Sequence, residues 1–515
     1  MGRDNRIFWF ALIAMVLVCR MAVATETAKL TCEDFSHWRG SADWSIVGDA
    51  FTNPRNENLL SAREGTGVIM NGRRAKSPPL VSKEEFGDIR AHVEFMVPKG
   101  SNSGVYLQGQ YEIQIYDSWT DQNSLYPGIE CGGIYQRWDE SRAVKGYDGH
   151  SPKVNASRPP GQWQSFDFVF RAARFDREGR KIANARIVKM WQNGTLIHED
   201  VELSGPTRGS MYAKERATGP IVLQGDHGPV AFRNIRVARI ELDRMGLTNP
   251  FFAMDTGTID ETHKTAKSQA EMLKELGYAG IGYWERNLSQ GTKGLEEMSG
   301  ELDKCGLKAY SLYFTIKLEE SKEKYLPLIE SSIKLLAGRG TIVWLAITSD
   351  DYQKSSPAGD ERAAAIISEI ADIAHKQDTK VVLYPHADFW LEKVDDAVRV
   401  AEKVNRQNVG ITFNLYHWLK TDRLENMEKA IEKASPYLFA VTINGTTQAG
   451  SIETLDRGTF DVYRFLKALK QNGFKGPIGL QGYGIGGDVR DNLRRSMETW
   501  QRFSQRLAIE EAEEL

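Results

Sequence analysis

Cysteine is scarce in this sequence. Only Cys19, Cys32, Cys131 and Cys305 occur in 515 residues, and so wide a scatter excludes a disulfide framework and a cysteine-rich zinc site. A pairing of Cys32 with Cys131 stays open. Charge of one sign is also missing. Lys and Arg number 66 against 69 Asp and Glu, a formal net charge of −3, which removes the electrostatic case for nucleic acid or an anionic membrane. Long apolar runs are lacking as well. Ile7–Val18 has only 12 residues, too few to span a bilayer comfortably.

That short run has a use. Arg3 and Arg6 precede it and Ala22-Val23-Ala24 follows it, the order of a secretory leader with cleavage expected after Ala24 and a secreted or periplasmic destination. The remaining length calls for two or more domains. The 12 Trp and 18 Tyr suit sugar recognition, although a large core would also use them.

From about residue 30 to 241 the chain reads as short strands between Gly, Asn and Pro, including 89–97, 104–108, 111–116, 163–171, 185–192, 219–224 and 232–240. Helical periodicity is nearly absent, so a β-sandwich of the jelly-roll sort is expected. Asn193-Gly194 marks a hairpin turn. Within SNSGVYLQGQYEIQIYDS (101–118), Tyr106 and Gln108 alternate with Val105 and Leu107, and Glu112 and Gln114 alternate with Tyr111, Ile113 and Ile115. Period-two alternation puts the polar set on one face. A carboxylate, amides and a phenol there suggest the floor of a carbohydrate site, against an ordinary wet sheet face.

This stretch, with GGIYQ (132–136), RPPGQWQSFDFVFRAARFD (158–176), NARIVKMWQNG (184–194) and IVLQGDHGPVAFRNIRV (221–237), resembles the 3-keto-disaccharide hydrolase family. The resemblance implies a concanavalin-like sandwich that cleaves glycosides oxidised at C3. The ketone acidifies the C2 hydrogen, elimination expels the C1 oxygen, and water adds to the enone. Such chemistry needs a base, an acid and a stabiliser of the enolate oxygen. Glu112 is the first candidate for acid or base. His227, in a Gly-flanked loop, is the second. Asp117 has the opposite parity and reaches the site only if the strand ends or bulges there. Tyr106, Gln108, Gln114, Gln136, Gln224 and Lys153 are candidates for binding hydroxyls or the ketone. A divalent metal gripping the ketone would suit Glu112, Asp117 and His227, but no tight ligand spacing demands one. The bland alternatives are a Glu112–Arg90 pair and a turn-shaping Asp226. Arg233-Asn234-Ile235 reads as part of a closing strand.

After Asp243 apolar runs alternate with amphipathic helical stretches through about residue 505. Eight such strand–helix units, 249–505, make a TIM barrel, with an acidic tail, 506–515, expected to fray. The strand ends carry Asp255, Trp284-Glu285, Thr315, Thr348, Tyr384 with His386, Asn414 with His417, Asn444, and Gln481. VVLYPH, VGITFNLYHWL and PIGLQGYG resemble the xylose isomerase-like sugar isomerase/epimerase family, which implies a divalent metal held by carboxylates and histidine. Here neutral amides stand in the corresponding places, which suits hard cations poorly. His386, Asn414, His417 and Gln481 remain candidates for sugar binding, with or without catalysis. The expected whole is a multidomain, exported protein whose sandwich cleaves 3-keto-glycosides and whose barrel binds or isomerises a keto-sugar. A non-catalytic glycan-binding protein is the rival, as is a catalytic barrel anchored by a carbohydrate-binding sandwich.

Overall fold

The computed structural model describes residues 27–71, 76–120, 125–288, 291–447 and 450–514. The leader pattern over 1–24 lies outside them. The chain divides into two compact units, one through Leu242 together with the segment from Ile509, the other Asp243–Ala508.

The first unit is a sandwich of two antiparallel sheets. The larger runs in the order Thr195–Leu203, Ala185–Gln192, Gln164–Arg171, Ile89–Met96, Ala231–Arg239, Leu60–Asn71, Trp44–Thr52, and Thr27–Lys29 pairs with Ala231–Arg239. The smaller runs Trp38–Arg39, Leu80–Phe86, Gly219–Leu223, Asn102–Leu107, Tyr111–Tyr116. Alternation decides what each face holds. Val105, Leu107, Tyr111, Ile113 and Ile115 enter a core with Phe95, Phe166, Phe168 and Phe232, which leaves Tyr106, Glu112 and Gln114 on the opposite face. Asn193 and Gly194 both have positive φ, 52° and 81°, as the Asn-Gly turn requires. Arg233 and Asn234 both donate to Glu94, at 2.5 and 2.8 Å, inside the strand Ala231–Arg239. Cys32 and Cys131 are both buried and neither is in a disulfide, so the pairing left open does not form. Burial pushes the Cys131 thiol up to about 11.

The second unit is a closed barrel of eight parallel strands: Phe251–Met254, Gly280–Trp284, Lys308–Lys317, Ile342–Thr348, Lys380–Leu383, Val409–Asn414, Leu438–Ile443 and Ile478–Leu480. Helices such as Asp360–His375, Val394–Val404 and Val462–Gln471 lie between strands. Aromatic side chains fill the barrel: Phe252 stacks on Tyr310, and Trp344 on Tyr384 at 5.5 Å between ring centroids. The acidic segment expected to fray instead continues the helix Val489–Glu513. Its apolar positions Ala508 and Ala512 are buried, and that burial holds the helix past its acidic residues. No helix among the described residues is long and apolar enough to cross a membrane.

Candidate functional site

The smaller sheet of the sandwich carries a cavity of about 400 Å³ on its outer face. Tyr106 and Glu112 are direct cross-strand partners, as are Gly104 and Gln114. Directly opposed residues interact most strongly across a sheet, and here the Tyr106 hydroxyl donates to Glu112 Oε2 at 2.8 Å. Two glycines leave room for the pair. A Cβ on Gly104 would sit 2.5 Å from Glu112 Oε1, and one on Gly209 2.8 Å from the Tyr106 hydroxyl. Just past the end of the next strand stands Gln224, whose backbone N–H donates to Gly104 O at 2.9 Å. Beyond it the chain turns at Asp226 and His227, which line the same cavity.

Glu112 is only 3% exposed. Burial pushes its carboxyl up to about 8; the Tyr106 hydrogen bond opposes this, and the nearby Asp226 charge adds to it. Loss of water disfavours the charged form of an acid, so at neutral pH Glu112 is mainly the protonated acid. Burial, and then the Glu112 charge, holds the Tyr106 phenol far above its ordinary range. His227 is half-exposed, and its Nδ1 lies 2.7 Å from Asp226 Oδ1. A carboxylate accepts, so Nδ1 carries a proton, and in the neutral ring Nε2 is then the acceptor. Gln224 Oε1 is buried without a hydrogen-bond partner. An orphaned acceptor beside a cavity is a place for a ligand donor.

Of the residues singled out in the sequence, Tyr106, Glu112, Gln114, Gln224 and His227 come together here. Others do not. The strand ends at Tyr116, and Asp117 Oδ2 accepts the Gly100 N–H at 2.9 Å, closing a turn away from the cavity. Gln108 is buried, and its amide donates to Phe86 O and Ala217 O at 3.0 and 2.8 Å, tying segments together. Gln136 lines a neighbouring cavity. Lys153 pairs with Glu199 at 3.4 Å on the surface. Glu112 lies in the smaller sheet and Arg90 in the larger one, so the pairing weighed for them is not made. Asp226 does more than shape a turn, since it orients His227. Tyr135, Arg208 and Met211 also line the cavity but were not singled out. Arg208 and Met211 lie on an irregular connection with no periodicity, and Tyr135 stands inside the GGIYQ motif, its only signal.

The barrel mouth is assembled differently. Asn414 caps the helix Leu415–Thr421: its Oδ1 accepts the His417 N–H at 3.0 Å, and its Nδ2 donates to the Tyr384 hydroxyl. His417 Nδ1 accepts the Ala387 N–H at 3.3 Å. His386 Nδ1 donates to Ala387 O at 2.7 Å, and its ring lies 3.8 Å from that of His417. Burial pushes His417 down to about 2, with His386 and Lys420 adding to the effect, and burial also lowers His386. Both rings are therefore neutral. Gln481 Oε1 accepts from Thr256 Oγ1 at 3.1 Å. Glu285 Oε1 accepts the Thr315 N–H and Asp255 Oδ2 the Trp284 N–H, each joining two strand ends. The residues do not fit the divalent metal that this barrel type implies. Among the described residues no three His, Cys, Asp or Glu side chains gather to hold an ion, and the amides that stand at the strand ends are neutral.

Residues 32–238 match the 3-keto-alpha-glucoside-1,2-lyase-like domain family, and residues 270–503 match the xylose isomerase-like TIM barrel family. No curated protein matches the chain. Among solved structures, a candidate glycosyl hydrolase from Parabacteroides distasonis is 26% identical, aligned over 42% of this chain and 84% of its own, with TM-score 0.30. A 3-keto-D-glucoside 4-epimerase from E. coli is 17% identical over 50% of this chain and 100% of its own, with TM-score 0.41. A D-allulose 3-epimerase from Methylomonas sp. is 16% identical over 50% of this chain and 100% of its own, with TM-score 0.42. The chain joins a 3-keto-alpha-glucoside-1,2-lyase-like sandwich to a xylose isomerase-like TIM barrel, two domain families that fit a carbohydrate-active protein.

Proposed function

We propose that the sandwich cleaves glycosides whose sugar carries a ketone at C3, by elimination followed by addition of water. The observation that carries this reading is a buried, protonated Glu112 facing the same cavity as the Asp226–His227 pair. Acid and base chemistry in one site needs two groups whose environments drive them apart. His227 Nε2 takes the C2 proton, and the electron pair left on C2 passes into the C3 carbonyl as an enolate. The enolate re-forms the ketone as a C1–C2 double bond develops. The C1–O bond breaks with its electron pair on oxygen, and Glu112 protonates the departing alkoxide. Water then adds its hydroxyl to C1 and gives its other proton to the Glu112 carboxylate, while His227 returns the first proton to C2, giving the free 3-keto sugar and both groups in their starting states. Tyr106 holds the Glu112 carboxyl in place, and Gln224 Oε1 accepts from a sugar hydroxyl.

For the barrel, the neutral donors and paired histidines favour binding of a sugar without a metal over metal-assisted isomerisation. The leader pattern sends the chain into an export route, which N-terminal sequencing of the mature protein tests by the presence or absence of a start at Thr25.

Release of 3-keto-glucose from a 3-keto-glucoside by the full-length protein tests the main reading. Turnover, with a loss of at least about 100-fold on Glu112→Gln and ligand binding retained, is the expected result. Binding of the 3-keto-glucoside with no turnover would leave a glycan-binding module in its place.

A further inference from the structure

A second cavity, about 640 Å³, adjoins the first. The two share a wall. Tyr135 lines the first and Tyr126 the second, with their hydroxyls 2.9 Å apart. Arg208 lines the first, donates its backbone N–H to Gln136 O at 2.9 Å, and lays its guanidinium 3.9 Å from the ring centroid of Trp138 in the second. A molecule held at C1 beside Glu112 therefore has this second space as the neighbouring cavity for whatever is attached through oxygen.

The second cavity differs from the first in what it offers. Its apolar surface comes from Tyr126, Pro127, Trp138, Ala143, Val144 and Tyr147, with Val144 76% exposed at the rim. Several of its polar side chains, and that of Trp138, already have partners. Trp138 Nε1 donates to Glu140 Oε1 at 2.8 Å and Lys145 Nζ to Glu140 Oε2 at 2.6 Å. Asp148 accepts from Ser204 and pairs with Arg137 at 3.8 Å. A second sugar brings several hydroxyls, each of which loses water on entry and needs a replacement partner. An aromatic ring brings no such demand and gains from packing against other rings.

We infer that the cavity lined by Trp138, Tyr147 and Val144 is the leaving-group subsite, and that it takes an apolar aromatic alcohol rather than a second sugar. The inference rests on the elimination reading of the neighbouring site. The alcohol departs with the proton given by Glu112, so its own acidity is a separate influence on rate. Leaving groups of similar acidity must therefore be compared.

Full-length protein is assayed on benzyl and methyl 3-keto-glucosides and on a 3-keto-disaccharide. Benzyl should exceed methyl in kcat/KM by about tenfold, from the added apolar contact. Val144→Asp, at an exposed position, and Trp138→Ala should each remove that advantage while leaving the methyl glycoside within about twofold. A benzyl glycoside no better than methyl overturns the inference, as does an equal loss on both. A disaccharide that outpaces benzyl and is itself slowed by Val144→Asp makes the subsite a sugar site and overturns it too. If none of the three is cleaved, the elimination reading fails, and fluorine NMR of 4-fluorobenzyl β-glucoside decides the subsite alone. Line broadening lost in Val144→Asp upholds it; absent or unchanged broadening overturns it.

Discussion

The sandwich cavity and the barrel mouth are both ringed by polar and aromatic residues at strand positions, yet the candidate residues of the two are disposed differently, although Asn444 Oδ1 and Trp284 Nε1 at the barrel strand ends also lack a partner. In the barrel, Asn414, His417, His386 and Gln481 bond to one another's segments and to Tyr384 and Thr256. In the sandwich, Gln224 Oε1 has no partner, Glu112 is buried and protonated, and His227 is fixed through one nitrogen only. Polar groups that satisfy each other stabilise a fold. Those held without full satisfaction are available to a ligand. The comparison teaches that chemistry is read from where the hydrogen bonds go, not from which residues are polar.

The sharpest break in this comparison is a swap of outcomes between two variants. Glu112→Gln should reduce kcat on a 3-keto-glucoside by about 100-fold or more, the range for a lost proton donor, and His227→Ala should do the same. His417→Ala should leave kcat within about twofold while lowering stability by about 2–4 kcal/mol, because it opens a cavity and strands the Ala387 N–H. Steady-state kinetics and denaturant melts of the three variants decide it. Loss of cleavage in His417→Ala alone would place the chemistry in the barrel.

Much of this contrast was legible in the sequence, and part was not. Alternation put Tyr106, Glu112 and Gln114 on one face of a strand pair, and the structure has them there. Parity left Asp117 a catalytic candidate only if the strand ended or bulged there; the strand does end, at Tyr116, yet the Asp117 carboxylate accepts the Gly100 N–H instead. Alternation also put Gln108 on the same face as Tyr106, and the structure does not, because Gln108 sits in a left-handed turn, φ 54°, where strand parity no longer applies. In the barrel, the strands and most helices followed from apolar runs and their spacing. Whether Asn414 caps a helix or faces a ligand depends on the backbone direction after its strand, which no side-chain pattern encodes. Long-range partners were equally hidden: Arg208 meets the sheet from a connection nearly one hundred positions away.

A smaller effect sharpens the electrostatic side. Activity that needs protonated Glu112 should fall as pH rises through about 8. Tyr106→Phe removes the bond that favours the carboxylate, so this limb should move to higher pH; Asp226→Asn removes the opposing charge, so it should move lower, each by about one pH unit. Stability obeys the same sign. The folded carboxyl is raised above its usual 4.5, so the stabilisation it contributes is complete below about 4.5 and is lost as pH rises through about 8. Melting temperature should therefore decline over that window in the parent and less so in Glu112→Gln. A flat limb in both substitutions would detach Glu112 from the rate.

The smallest expected effect concerns Asp117, the carboxylate that sequence alone could have placed in the site. Its Oδ2 holds a single backbone N–H, that of Gly100, at a partly exposed turn, and such a bond contributes about 1 kcal/mol. Asp117→Asn keeps an oxygen acceptor in the same position, so melting should shift by no more than a few degrees and kcat/KM by less than about twofold. Removing the charge tests catalysis without removing the bond, which separates the two roles cleanly. A hundredfold loss with normal melting would bring Asp117 into the acid–base set and erase the line drawn between residues that face the cavity and residues that close the turns around it.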